Sequence, residues 1–386
     1  MKALLALVAA SSLMLACSDD PPADAGETAG EGESGAGSDD EIGSSGESGS
    51  SGESGSSGES DTSSESDTSS ETDTGSEADT GETDTGGPLD DLLTLDHVQV
   101  KGTHNSYHVE PMLPFDPSHE YTQPPLDEQL EQFGVRAFEL DLHRNADVLL
   151  VYHIQIIDAL TTCNTLSACL ETIAGWSDQH PTHVPIMVWF ELKDSTGGSP
   201  IDDLLLVDQT ILEVFAADRV LTPDFVRGDH ATLREAIEAE GWPTLGEVRG
   251  KIMFMVLNGD HASVADYLDG APSLEGRMMF VGTDDFSAPH AAVSKINDPG
   301  SPTIADAHAA GILSASNVCG AGSADDECFA KLDAGKASGT HHLMDDFLAP
   351  VEGMTYFLDL PDGNPARCNE VTAPAECTSE AIEDLP

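Results

Sequence analysis

Basic residues are the scarcest feature of this chain: 15 Lys and Arg stand against 71 Asp and Glu in 386 residues, a formal charge of −56. A surface so short of cations cannot neutralise a row of phosphates, which excludes nucleic acid as a partner. It is also repelled from anionic membranes unless cations or a covalent anchor intervene. No Cys-x-x-Cys occurs, so a structural zinc site or a thioredoxin-like redox motif has no support. The apolar stretch at the start, Ala3 to Ala16, is too short for a transmembrane helix. After Leu89 there is no second low-complexity break, which argues against two unrelated domains.

What is present divides unevenly. Lys2 followed by the apolar run and by Leu13-Met14-Leu15-Ala16-Cys17 reads as a signal peptide over residues 1–17, and its end resembles a bacterial lipobox with Cys17 as the lipidated residue. Ser18 stands where an inner-membrane retention Asp is often found, so an exported lipoprotein of the outer membrane or cell surface is expected. Residues 18–88 are mostly Ser, Gly, Glu, Asp and Thr and hold 21 of the acidic residues with no Lys or Arg. With almost nothing apolar to bury, that segment reads as a disordered linker, spanning roughly 45 to 50 Å as a flexible coil. Residues 89–386 retain 50 acidic and 14 basic side chains and form the folded body.

Six cysteines of the body fall into near-neighbour pairs, Cys163 with Cys169, Cys319 with Cys328 and Cys368 with Cys377, which predicts three local disulfides in an oxidising compartment. Short β-rich runs alternate with helix-like segments. Strands are expected at His97 to Lys101, Val135 to Leu142, Val148 to Tyr152, Pro185 to Leu192, Lys251 to Leu257, Arg277 to Val281, Ile312 to Ala315 and Thr340 to Met344. Helices are expected at Leu126 to Phe133, Leu166 to Gln179, Leu204 to Ala217, Leu233 to Glu240 and Ile304 to Ala310. About eight strands with intervening helices imply an α/β fold with a parallel sheet, and a barrel is its natural closure.

The polar residues of interest stand where these strands end, which in a parallel barrel is one mouth. Period-two alternation places Glu139 and Asp141 on the same face of their strand, and like charges that close call for a cation. With Asn105 and Glu191 they make four hard oxygen donors without a thiolate, a set that suits Ca²⁺ first and Mg²⁺ second. His104 and His153 each end a strand beside those donors, so the pair supplies a general base and a general acid. His104 and His108 have the spacing of a zinc-protease motif, but position 105 is Asn and the motif follows Gly102, which argues against it. Trp189 is expected inside the barrel, Asp345 and Asp346 either at the same mouth or, the stronger reading, in a solvated loop, and Arg144 either on a phosphate or paired with an acid.

Four ordered segments, Gly102-Thr103-His104-Asn105-Ser106-Tyr107, Gly134 to Asp141, Val151-Tyr152-His153 and Phe190-Glu191-Leu192-Lys193, resemble the successive catalytic segments of phosphatidylinositol-specific phospholipase C, in its calcium-dependent branch. In the metal-independent bacterial enzymes an Arg takes the place of Asp141. The resemblance implies a somewhat distorted (β/α)8 barrel of the triosephosphate isomerase type. It implies Asn105, Glu139, Asp141 and Glu191 as Ca²⁺ ligands, His104 on the phosphoryl group and His153 as the acid for the departing oxygen. Lys193 is a further candidate for holding phosphate, and either His104 or Glu139 is placed to take the attacking hydroxyl's proton.

The function expected is a calcium-dependent phosphodiesterase, acting as a monomer on phosphatidylinositol or a related glycerophospholipid and held at a membrane by its lipid anchor. The alternatives are a glycerophosphodiester phosphodiesterase or sphingomyelinase D-like enzyme, which shares the barrel, two histidines and a Glu-x-Asp metal site, and a catalytically inactive surface-binding lipoprotein.

Overall fold

The computed structural model describes residues 89–193, 199–360 and 365–383. The expected signal segment, Cys17 and the acidic linker lie outside the described residues. Eleven strands form the sheet: β1 (Val98–Thr103), β2 (Val135–Asn145), β3 (Val148–Val151), β4 (Ile186–Leu192), β5 (Val220–Leu221), β6 (Ile252–Val256), β7 (Met279–Val281), β8 (Val293–Lys295), β9 (Leu313–Cys319), β10 (His342–Asp345) and β11 (Ala366–Cys368). The helices are α1 (Leu126–Phe133), α2 (Leu166–Ser177), α3 (Leu205–Val214), α4 (Pro223–Arg227), α5 (Leu233–Glu240), α6 (Leu245–Val248), α7 (Ala262–Leu268), α8 (Thr303–Ala309), α9 (Asp325–Ser338) and α10 (Ser379–Ile382).

Parallel pairing runs from β8 through β9, β10, β1, β2, β4 and β6 to β7. A single parallel bridge between Gly282 and Val293 brings β7 back to β8 and completes an eight-stranded barrel. Gly259 and Gly282 make that seam possible, because a Cβ on Gly259 would lie 1.7 Å from the Gly282 carbonyl oxygen. Three further strands add to the wall, β3 on β2 and β11 on β1 as antiparallel partners and the two-residue β5 parallel to β6.

The expected barrel is therefore present, with one exchange of strands. The run from Val148 to Tyr152 is not a wall strand; it folds back on β2 as a hairpin, because Ala146 and Asp147 form a two-residue turn in which Ala146 adopts a positive φ of 55°. The eighth wall strand is β8, three residues long and without a periodicity that would announce it. The 14-residue α9 was also invisible as a pattern, since its buried residues Cys328, Leu332 and Gly335 include only one large apolar side chain.

Trp189 fills the barrel as expected. It is fully buried and donates its indole N–H to Nδ1 of His342 on β10, 3.0 Å away. Burial holds His342 down to about 3, so its ring is the neutral acceptor that this bond needs. The three local disulfides are formed, Cys163–Cys169, Cys319–Cys328 and Cys368–Cys377, as befits an exported protein in an oxidising compartment.

Candidate active site

The segment after β1 is a turn locked to β2. The N–H of His104 still pairs with the carbonyl of Asp345 at 3.0 Å, and then Asn105 takes a left-handed φ of 42°, which Asn tolerates better than most residues. Ser106 ties the turn down: its N–H donates to the Glu139 carbonyl at 2.9 Å, and its Oγ accepts from the Glu139 N–H at 2.8 Å. Gly102 permits the approach of β10, because a Cβ there would stand 2.4 Å from the Met344 sulfur. His104, Asn105 and Glu139 are thus placed against one another by backbone bonds.

On β2 the alternation holds. Asp141 sits in register with Glu191 of β4, and carboxylate oxygens of Glu139, Asp141 and Glu191 all lie within 4.8 Å of one another. Lys193 Nζ is 2.6 Å from Glu191 and 3.3 Å from Asp141, and Lys295 Nζ of β8 is 2.8 Å from Glu139. Neither buried Asp141 oxygen receives a well-aligned hydrogen bond, although Lys193 and the Tyr107 hydroxyl stand close. Burial first, then the Glu191 charge, push its carboxyl well above the ordinary range. Glu139 goes the other way: burial opposes ionisation, but Lys295 and His104 outweigh it. An all-oxygen set with an unsatisfied central carboxylate fits a hard divalent cation. Asn105 is buried beside this group, and its Oδ1 accepts from the Tyr107 hydroxyl at 3.0 Å.

Each imidazole of the expected pair has its own carboxylate. His104 Nδ1 lies 2.9 Å from Asp346 Oδ1, and its Nε2 lies 3.6 Å from Glu139. Burial works against the charged ring, yet Asp346 and Glu139 raise it to about 9. His153, carried past the end of β3, sets Nδ1 2.6 Å from Asp158 Oδ2. Its pKa is lowered, by burial first and then by the neighbouring cations Lys193 and His104, against the pull of Asp158.

Asp345 and Asp346 are not a solvated loop. They are 0% and 4% exposed, held by the Tyr356 hydroxyl and by the N–H groups of Phe347 and Ala321. Arg144 faces Asp202 at the surface rather than the carboxylate group. His104 and His108 do not share a metal: His108 turns to Asp158, on the far side of the turn. Lys295 and Asp158 are site residues that the sequence did not disclose, Lys295 because β8 was not recognised and Asp158 because a lone acid in so acidic a chain carries no signal. A cavity of about 540 Å³ opens beside Lys295, its lining mixing Leu257 and Leu268 with Thr283, Asp284, Ser294 and Asn297.

The family model described as phosphoinositide phospholipase C, Ca²⁺-dependent, matches residues 145–370, more than half of the chain. His153, Glu191 and Lys193 lie inside that range; His104, Asn105, Glu139 and Asp141 precede it. Among solved structures, a Ca²⁺-dependent phosphatidylinositol-specific phospholipase C from Streptomyces antibioticus is 20% identical, with 66% of this chain and 95% of that one covered and a TM-score of 0.52. The calcium-dependent enzyme of a Gram-negative Pseudomonas sp. is 16% identical, with 73% and 98% covered and a TM-score of 0.52; its myo-inositol complex matches equally well. At such identities these structures show the fold. A search of curated protein sequences finds no match.

Proposed function

We propose, from the premise that the chain belongs to the Ca²⁺-dependent phosphoinositide phospholipase C family, that it cleaves phosphatidylinositol or a closely related glycerophospholipid on the glycerol side of the phosphodiester. The observation that carries this reading is the arrangement at the barrel mouth: two imidazoles, each held by a buried carboxylate, beside three carboxylates that converge within 4.8 Å.

Asn105, Glu139, Asp141 and Glu191 would hold the Ca²⁺ ion. Bound there, it would supply positive charge that offsets the charge growing on the phosphoryl group and favours loss of the attacking hydroxyl's proton. His104, kept cationic by Asp346 and Glu139, donates to the phosphoryl group and counters the charge that grows on it. With His104 already protonated, Glu139 is the carboxylate left to accept the proton of the inositol 2-hydroxyl, whose attack within the same molecule forms a cyclic phosphodiester. His153 protonates the departing glycerol oxygen. Asp158 fixes its ring through Nδ1, and the lowered pKa makes the imidazolium a strong acid for that purpose. Lys193 lies within the same group of charges and is assigned to the phosphate.

Two further features support a lipid carrying a polyol headgroup. The cavity beside Lys295 offers amides and hydroxyls, the groups that recognise a polyol. Met112, Leu113, Phe115 and Ile156 are 94%, 79%, 73% and 91% exposed on the loops that carry His104 and His153, an apolar fringe suited to a bilayer.

The remaining organisation follows the same reading: 1–17 a lipoprotein signal peptide, 18–88 a linker, 89–386 a monomeric catalytic barrel, with Cys17 anchored in the outer membrane. Loss of radiolabelled palmitate incorporation in Cys17→Ala tests the anchor. The activity is tested by phosphorus NMR of phosphatidylinositol vesicles with Ca²⁺, Mg²⁺ or EDTA. Cyclic inositol phosphate in Ca²⁺ alone is expected; phosphatidate, the product of cleavage on the inositol side, would overturn the assignment.

A further inference from the structure

Three imidazoles outside the carboxylate triad meet at one buried acid. Asp158 is fully buried. Its Oδ1 lies 2.8 Å from His108 Nε2, and its Oδ2 lies 2.6 Å from His153 Nδ1 and 3.8 Å from His119 Nδ1. His108 is 0% exposed and His119 is 6% exposed. His119 Nδ1 has no hydrogen-bond partner among the described residues. A polar atom left so costs about 1–3 kcal/mol unless some group engages it.

His108 makes the same point from the other side of Asp158. Its Nδ1 faces the carbonyl oxygen of Tyr121 at 3.0 Å, an acceptor only, so this nitrogen carries the proton. A neutral ring then directs the lone pair of Nε2 at the Asp158 carboxylate. Either the ring is a buried imidazolium or a cation bridges the two. Metal-bound histidines habitually donate their second ring N–H to a backbone carbonyl or a carboxylate, and His108 is already disposed that way.

We infer that His108, His119, His153 and Asp158 form a site for one divalent transition-metal ion, with Zn²⁺ the best fit. Three imidazoles and one carboxylate are borderline donors, matched to Zn²⁺ and not to Ca²⁺. Tetrahedral bonds of about 2.0–2.1 Å set ligand atoms ~3.3 Å apart, so the separations of 2.8, 2.6 and 3.8 Å between Asp158 and the three imidazoles change by less than about 1 Å; His108, His153 and Asp158 already converge within 4.8 Å, and His119 swings in to complete the set. The site is distinct from the all-oxygen one, yet His153 belongs to its reach as well as to catalysis. Metal on Nδ1 displaces the proton that this nitrogen shares with Asp158 and engages Asp158 itself, so the imidazolium loses its support. Occupancy therefore inhibits. Binding stands independently of the proposed function, whereas inhibition rests on it.

The test titrates the Ca²⁺-saturated full-length chain with zinc chloride, by calorimetry without substrate and in parallel by rate of phosphatidylinositol cleavage. One Zn²⁺ per chain is expected, with the rate falling at the same midpoint. In His119→Gln, zinc binding weakens at least tenfold and the inhibition midpoint moves with it, while the zinc-free rate stays within twofold of the parent. Co²⁺ used as the probe gives tetrahedral d–d absorption in the parent and loses it in the variant. Absence of a one-to-one zinc step in the parent overturns the site, whatever the variant does. Parental zinc affinity in a His119→Gln chain with native near-ultraviolet circular dichroism overturns it as well. Zinc binding without inhibition overturns the link to His153. If the chain cleaved no phosphodiester at all, calorimetry and Co²⁺ absorption would still decide the site.

Discussion

Replacing Asp141 by Asn is expected to move stability in opposite directions without and with calcium. In EDTA the side chain is fully buried, receives no well-aligned hydrogen bond on either oxygen, and has the carboxylates of Glu139 and Glu191 within 4.8 Å and Lys193 at 3.3 Å. At a pH high enough to ionise all three carboxylates and at an effective dielectric of about 20, each repulsion at 4.8 Å is worth about 3.5 kcal/mol and the Lys193 attraction about 5, which leaves a residual repulsion of about 2 kcal/mol. Asp141→Asn removes it, so the calcium-free variant gains about 2 kcal/mol, a rise in melting temperature of roughly 4–8 °C. Calcium reverses the comparison. At a concentration 100 times its dissociation constant it stabilises the parent by about 2.7 kcal/mol, and a variant binding 100-fold more weakly gains only about 0.4. Thermal melts in EDTA and across a calcium series measure both quantities. A variant less stable than the parent in EDTA, or one with the same calcium-induced shift, would refute the picture of Asp141 as the central charge of a cation site.

Three further outcomes are expected. Glu383 holds both Nε and Nη2 of Arg136, which is fully buried at the amino end of β2, so Glu383→Ala leaves that charge uncompensated and costs about 3–5 kcal/mol in urea unfolding; a loss below about 1 kcal/mol would contradict it. Asp208 is pushed up to about 6, burial prevailing over the bonds from Tyr267 and the Met278 amide. Because the folded state binds that proton more tightly, stability falls as pH rises from about 4 through 6; Asp208→Asn flattens that segment by up to about 3 kcal/mol, and parallel curves for the two proteins would count against it. Leu113→Ser with Phe115→Ser removes apolar burial worth about 1.5–3 kcal/mol per side chain at a bilayer, so cleavage on vesicles falls at least tenfold while a soluble glycerophosphoinositol is cleaved unchanged; equal loss on both substrates would remove these loops from membrane contact.

The sequence disclosed those parts of the site that depend on local rules. Alternation alone put Glu139 and Asp141 on one face, and strand ends alone put His104, His153 and Glu191 at one mouth. The disulfides were legible because each closes a short loop. What escaped depends on tertiary closure. Lys295 reaches Glu139 only because the Gly259 and Gly282 seam lets β8 finish the barrel, and no pattern in Val293-Ser294-Lys295 reports that. Asp346 and Asp158 are single acids among 50 in the body, and only their burial against His104 and His153 separates them from the solvated majority. The hairpin of β3 misled because an antiparallel return and a parallel wall strand share the same period of two.

The acidity that began as an objection to an anionic substrate is answered locally. Around the triad, Glu139, Asp141, Glu191 and Asp346 face Lys193, Lys295 and a His104 ring raised to about 9, so four negative groups meet three positive ones and the mouth carries a charge near −1 when each is ionised. Two of the chain's few lysines are spent on this one place. A divalent cation changes the sign to about +1, complementary to the single negative charge of a phosphodiester. The rest of the body, 46 acids against 12 bases and a net −34, acts across the surface, where physiological salt screens beyond about 8 Å. Cation and substrate therefore bind in mutual support. Each is expected to tighten the other, because the cation without substrate leaves an excess positive charge and the substrate without cation meets a repelling one.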